Sequence, residues 1–261
     1  MQLRIYQVDA FTEKVFGGNP AAVVPLDEWL PDELLQNIAK ENNLSETAFF
    51  VKNGDRYLIR WFTPTVEVDL CGHATLATAH VLFQHEGHLG PVIQFYSPRS
   101  GNLKVSLQEE LMTLDFPKDE VNEIPLNEEL KACFSLSPVQ AFRGKSDVVL
   151  VFQSEMEIRN IQFDLAKIEE IPARGVIVTA KGEVVDFVSR FFGPQVGVPE
   201  DPVTGSAHTS LIPIWAEKLG KTKLKAKQLS ARGGELNCEL LGHRVAISGK
   251  AVTYLEGKLF I

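Results

Sequence analysis

Short runs of β-branched and aromatic residues, closed off by glycine, proline, asparagine or aspartate, recur along most of the chain, and this pattern predicts strands. In the first half strands are expected over residues 4–9, 47–51, 57–62, 92–96, 103–107 and 112–116. In the second half they are expected over 139–142, 148–152, 176–179, 184–190, 227–230, 236–240, 244–248 and 251–255. The pairs Lys181-Gly182 and Gly249-Lys250 read as short hairpin connections, so the sheets should be largely antiparallel. Strand-helix alternation of the doubly wound kind is missing.

Four stretches break the pattern with helical spacing. Residues 31–42 carry Leu34, Leu35, Ile38 and Ala39 on one face and Pro31, Asp32 and Glu33 in the first turn, as a surface helix does. Residues 164–170 are a shorter case. The stretches 73–84 and 206–219 differ in kind, being apolar nearly all round, and a helix of that composition has to be buried on most sides. Each is expected to lie inside a sheet that wraps it.

Their contexts match. Arg60-Trp61-Phe62-Thr63-Pro64 precedes the first and Arg190-Phe191-Phe192-Gly193-Pro194 the second, 130 positions later. Glu67, Gly72 and Ala74 then correspond to Glu200, Gly205 and Ala207 at an offset of 133, so three residues are inserted between. This reads as an internal duplication, with halves 1–117 and 118–261 meeting at the polar stretch Phe116-Pro117-Lys118-Asp119 and the last strand able to return to the first half.

Composition narrows the function. The chain has 261 residues, 34 acidic against 26 basic side chains and a formal net charge of -8, without a sustained basic run, which argues against a general nucleic-acid partner. No run of 18 apolar residues and no signal-peptide pattern is found, so neither a membrane span nor secretion is expected. The three cysteines, Cys71, Cys133 and Cys238, have no paired spacing and fit reduced thiols in the cytoplasm.

Both buried helices open on glycine and small residues, Cys71-Gly72-His73-Ala74 and Thr204-Gly205-Ser206-Ala207. Unpaired N–H groups and the positive dipole end suit such starts to a carboxylate or a developing oxyanion, although a glycine there can equally serve only the strand-to-helix turn. Glu46, set against Thr47-Ala48-Phe49-Phe50, is a candidate general base or acid if desolvated, and otherwise a solvated turn residue or cap partner. Asp201 stands just before the second helix as a further acid or as a capping carboxylate. His73 is placed either to relay protons or to bond a backbone carbonyl. No nucleophile elbow, Walker loop or dinucleotide fingerprint occurs. His85 and His88 flank Glu86 without a cysteine or further histidine at ligand spacing, so neither a metal nor an organic cofactor is expected.

With these residues in view, the chain resembles the phenazine-biosynthesis isomerase (PhzF-like) family, relatives of diaminopimelate epimerase. The matching segments are Phe16-Gly17-Gly18-Asn19-Pro20, Ser45-Glu46-Thr47-Ala48-Phe49, Arg60-Trp61-Phe62-Thr63-Pro64 on to Gly72-His73-Ala74-Thr75, Glu200-Asp201-Pro202-Val203-Thr204-Gly205-Ser206, and Gln228-Leu229-Ser230-Ala231-Arg232-Gly233-Gly234. The resemblance implies an α+β fold of two pseudo-symmetric halves, each a curled, mostly antiparallel sheet around a central buried helix. It also implies an active site in the cleft between the halves, a homodimer, and a proton shuttle that uses no cofactor. It places the main acid/base on Glu46, supporting roles on His73, Asp201 and Ser206, and a small carboxylate substrate at the glycine-started helix ends. Asn19, Gly72, Ala74, Thr204, Gly205 and Ser206 are the binding candidates. Epimerase and racemase relatives use two cysteines, one per half, where this chain has Gly72 and Asp201, with Cys71 one residue away. The competing readings are a two-base epimerase or racemase of an amino or hydroxy acid, using Glu46 or Cys71 with Asp201, and a non-catalytic protein that binds small anions.

Overall fold

The computed structural model describes residues 1–261. The chain forms two compact units, one of residues Met1–Asp115 with Ser248–Ile261, the other of Phe116–Ile247. The first contains β1 (Gln2–Ala10), β2 (Asn19–Leu26), α1 (Asp32–Asn42), β3 (Glu46–Asn53), β4 (Arg56–Phe62), β5 (Glu67–Val68), α2 (Gly72–Gln84), β6 (Val92–Ser97), β7 (Gly101–Gln108) and β8 (Leu111–Pro117). The second contains β9 (Asn122–Ile124), α3 (Glu128–Ala132), β10 (Gln140–Arg143), β11 (Asp147–Val151), α4 (Glu155–Asn160), α5 (Leu165–Glu170), β12 (Gly175–Lys181), β13 (Phe187–Gly193), β14 (Val198–Asp201), α6 (Ala207–Leu219), β15 (Lys223–Gln228), β16 (Gly234–Leu241) and β17 (Arg244–Gly249). The last strand, β18 (Ala251–Phe260), pairs antiparallel with β1.

The two units repeat one another strand for strand. In the first, β1 and β2 are antiparallel, β2 and β3 parallel, β3 and β4 antiparallel, β4 and β5 antiparallel, β4 and β6 parallel, and β6 and β7 antiparallel. In the second, β10 to β16 give the same sequence of pairings. The parallel pairs fall where a helix intervenes, because a parallel return needs a crossover that a tight turn cannot provide. The three residues inserted in the second half between Pro194 and Glu200 coincide with a single 3-10 turn at Pro194–Val196, closed by Gly197 at φ 80.

One ion pair is built twice. Arg60 grips Glu67 through Nε–Oε1 at 2.7 Å and Nη2–Oε2 at 2.9 Å, and Arg190 grips Glu200 through the same atoms at 2.7 and 3.0 Å. Each guanidinium also lies 5.1 Å from the ring of the phenylalanine two residues on, Phe62 or Phe192. A bidentate, half-buried pair of this kind fixes orientation as well as energy. Here it ties a long strand to the short one that leads into the buried helix.

Both central helices are enclosed as their composition demands. Residues Gly72 to Ala79, Val81 and Leu82 of α2 are buried, as are most residues of α6. The polar groups that go inside find partners within the helix: Thr75 Oγ1 donates to the Cys71 carbonyl and Thr78 Oγ1 to that of Ala74. In α6, Pro213 has no N–H for the carbonyl of Thr209, and that carbonyl accepts instead from the backbone N–H of Asp119 at 3.2 Å.

Several elements depart from expectation. β2 is a strand despite Pro20 and Pro25, since both lie near its ends, where a missing ladder donor is tolerated, while Ala21 to Val24 between them are buried. The expected Lys181-Gly182 hairpin is a longer turn: β13 starts at Phe187, and Val184, expected in the strand, is 96% exposed at the tip. β15 runs over Lys223–Gln228 rather than 227–230, its lysines alternating outward against buried Leu224, Ala226 and Gln228.

Two histidines sit in this packing uncharged. Burial pushes His80 down to about 4, with His85 adding to the effect, and burial pushes His208 to about 4 against a hydrogen bond to the Thr204 carbonyl. An unfolded histidine titrates near ~6.5, so below that pH the unfolded chain binds protons that the folded one refuses. Thermal stability should therefore fall as pH drops from about 6.5 to about 4. The paired substitutions His80→Gln and His208→Gln should flatten that slope, as measured by scanning calorimetry across this range.

Candidate active site

In the first unit three segments bring polar side chains to the start of α2. Gly18, at φ +61, has the Ala10 carbonyl only 2.1 Å from where a Cβ would stand, so only glycine permits the turn that delivers Asn19 as the first residue of β2. Asn43 closes α1 in the left-handed conformation and the chain enters β3 at Glu46. Cys71, extended at φ -135, starts α2 without a side-chain cap, and His73 follows as its second residue.

The buried His73 ring is flanked on both nitrogens. Asn19 Nδ2 lies 3.1 Å and Cys71 Sγ 3.5 Å from Nδ1, while Glu46 Oε2 lies 3.1 Å from Nε2. That last pair is a close contact between a carboxylate and an imidazole rather than an aligned hydrogen bond. Burial works against a charge on His73, but the Cys71 sulfur and the Glu46 carboxylate carry its pKa well above the ordinary value. Burial and the Glu46 charge push the Cys71 thiol up to about 11. A charged imidazolium needs an acceptor at Nδ1, which Asn19 offers when its amide turns Oδ1 inward.

The second unit presents a different set at the start of α6. Asp201, the last residue of β14, is buried and does not act as the helix cap, which is Ser206. Its Oδ2 accepts from Thr204 Oγ1 at 2.5 Å. Gln228 clamps this turn, its Nε2 donating to the Asp201 carbonyl at 2.7 Å and its Oε1 accepting from the Thr204 N–H at 2.9 Å. Gly205 and Ser206 follow, and Ser206 Oγ accepts from Arg174 Nη1 at 2.9 Å. The first N–H groups of a helix have no carbonyl within it to bond, and neither α2 nor α6 carries a side-chain cap. Gly72 opens α2; Ala74, expected as a binding residue, directs its N–H to the Cys71 sulfur.

The strand registers locate the counterpart of Glu46. Phe49 pairs with Arg60 and Val178 with Arg190, which puts Gly175 where the first unit has Glu46. A side chain cannot enter there, because a Cβ on Gly175 would lie 2.4 Å from the Phe191 ring. The acid is thus present in one half only. Sequence reasoning missed Gln228 and Arg174, although Gln228 stands at the head of a quoted family segment. It also set metals aside on spacing, whereas Glu46, Cys71 and His73 offer ligand atoms within 4.8 Å of one another, a group with the softness for a zinc-like ion.

The family model of the phenazine biosynthesis-like proteins matches residues 8–257, and the chain belongs to that family. An uncharacterized isomerase of Pseudomonas aeruginosa is 52% identical over 259 residues, 99% of each chain. The crystal structure of a PhzF-family phenazine biosynthesis protein from Enterococcus faecalis, 47% identical, matches over the whole of both chains with a TM-score of 0.97. A predicted epimerase from Pseudomonas aeruginosa, 18% identical, shares the fold over 99% of each chain at a TM-score of 0.77. The α+β architecture is therefore the epimerase-like one, in a family whose members carry isomerase names. No helix is long and apolar enough to cross a membrane.

The Glu46–His73 contact makes a directional prediction. A histidine whose folded pKa is raised adds stability that is complete below the unfolded value of ~6.5 and is lost as pH rises through the folded one. In Glu46→Gln one of the two groups that raise the His73 pKa is gone, so that pKa should fall relative to the wild type. The imidazole resonances followed by NMR titration should show the drop.

Proposed function

We propose that the protein is a cofactor-independent isomerase of a small carboxylic acid, with Glu46 carrying the migrating proton. The observation that supports this reading is the Glu46–His73 pair, 3.1 Å apart, at the start of a buried helix. Glu46 takes a proton from a carbon next to a carboxylate or an enamine and returns it to another carbon on the same face, which shifts a double bond. His73, held by Asn19, is the imidazole partner of Glu46 in the first unit; Asp201, fixed by Thr204, is the candidate acid of the second. Gly72, Gly205 and Ser206 furnish donors for the substrate carboxylate at the helix starts, while Ala74 and Thr204, whose own donors are taken by Cys71, Gln228 and Asp201, shape the turns that present them.

Transfer on one face is favoured over inversion by two opposed bases. The counterpart of Glu46 is Gly175, and the thiol of Cys71, at about 11, is a poor base in neutral solution. General acid-base help is worth about 10²- to 10⁴-fold, so positioning of the anion supplies much of the remaining acceleration.

The reaction can be followed by NMR in deuterium oxide across small cyclic and amino carboxylic acids, with cyclohex-2-ene-1-carboxylate as the reference. There the C1–H bond breaks, a C3–H bond forms, and the double bond moves from C2=C3 to C1=C2. Glu46→Gln should lower turnover by at least about 10²-fold while a carboxylate ligand still binds within a few-fold of wild-type affinity. Near-normal turnover in that variant would move the role to Asp201. Dialysis against a strong chelator should leave the rate unchanged; a loss restored by a single metal would instead put an ion among Glu46, Cys71 and His73.

A further inference from the structure

Arg174 immediately precedes the glycine that stands in place of Glu46. Its guanidinium forks onto the buried Asp147, with Nε–Oδ1 at 2.9 Å and Nη2–Oδ2 at 2.5 Å, and lies 5.4 Å from the Phe191 ring, which fills the space beside Gly175. So held, it aims Nη1 at Ser206 Oγ, 2.9 Å away. Where the first unit sets a carboxylate against the second residue of its helix start, the second unit sets a guanidinium against a hydroxyl.

The hydrogen-bond inventory gives this contact a consequence. A guanidinium only donates, so Ser206 Oγ must accept from it, which leaves the hydroxyl hydrogen to donate elsewhere. Ser206 is the N-cap residue by position, yet it is in the helical conformation and its oxygen accepts no cap bond from the first turn of α6. A serine that does not cap its own helix, and whose oxygen is occupied by a fixed cation, is a polarised donor.

We propose that Arg174 is a positioning residue which turns Ser206 into a dedicated donor to the substrate carboxylate. The inference rests on the carboxylate isomerase reading and adds to it the residue that orients a carboxylate-binding hydroxyl. Asp147 and Phe191 position Arg174, Arg174 orients Ser206, and Ser206 touches the anion. Arg174 acts on binding rather than on the proton transfer, and it acts through Ser206.

Turnover of cyclohex-2-ene-1-carboxylate, or of whichever acid the wild type isomerises, is measured against concentration in Ser206→Ala, Arg174→Gln, Arg174→Lys and the double variant Arg174→Gln/Ser206→Ala. Each single variant should raise KM about tenfold with kcat within about threefold, the loss of one charge-assisted donor. The double variant should be no worse than Ser206→Ala, because two residues in series are not additive. Arg174→Gln leaves Asp147 without its counter-charge and can fail to fold; Arg174→Lys keeps a charge there but lacks the fork, and its KM then decides. Additive losses, an unchanged KM in Arg174→Lys, or a fall in kcat alone would overturn the proposal. Glu46→Gln, run alongside, separates the two ideas: if it is inactive while the Arg174 variants behave as wild type, only this inference falls. If it turns over normally, or the wild type isomerises no acid, the isomerase reading falls and this inference with it.

Discussion

A helix without a polar face cannot rest on a single layer of sheet, and both units of this protein are organised around that constraint. α2 and α6 expose almost nothing of their central turns, so each needs strands on most sides, and the many short strands are the means of supplying them. Burial of a helix on all sides also fixes where it begins. The starts of α2 and α6 are the points where unpaired N–H groups and the dipole remain available, and the candidate chemistry collects there for that reason.

The duplicated scaffold is conserved within the molecule in its mechanics and not in its chemistry. The Arg60–Glu67 and Arg190–Glu200 clamps agree to within 0.1 Å in their paired distances and present the same guanidinium-over-phenylalanine contact. At the helix starts the halves part: Glu46 against His73 in one, Arg174 against Ser206 in the other. One half therefore sets a carboxylate against an imidazole, the other a guanidinium against a hydroxyl.

Burial gives the polar groups of the first unit their character. Contact with the Glu46 carboxylate and the Cys71 sulfur favours the charged form of the His73 imidazole against its burial, and the same low-dielectric surroundings push the Cys71 thiol up. Burial without such neighbours lowers the pKa of the fully buried His208 and of the partly buried His80.

Much was legible in the sequence by itself. Apolar periodicity marked the two central helices, the repeat of Arg60 and Glu67 as Arg190 and Glu200 marked the duplication, and the segments around Asn19, Glu46, Gly72 and Asp201 marked the family. A capping signal, Ser154 with Glu157 three residues later, was also present ahead of α4 and went unread. These signals are local, and a repeat is simply a local signal met twice. What only the tertiary structure decided are relations between distant positions: Asn19 on His73, Arg174 on Ser206, Gln228 on Thr204, and Gly175 in the place of Glu46. Strand register sets those pairings, and register depends on how every side chain between the partners packs, so no spacing along the chain encodes it.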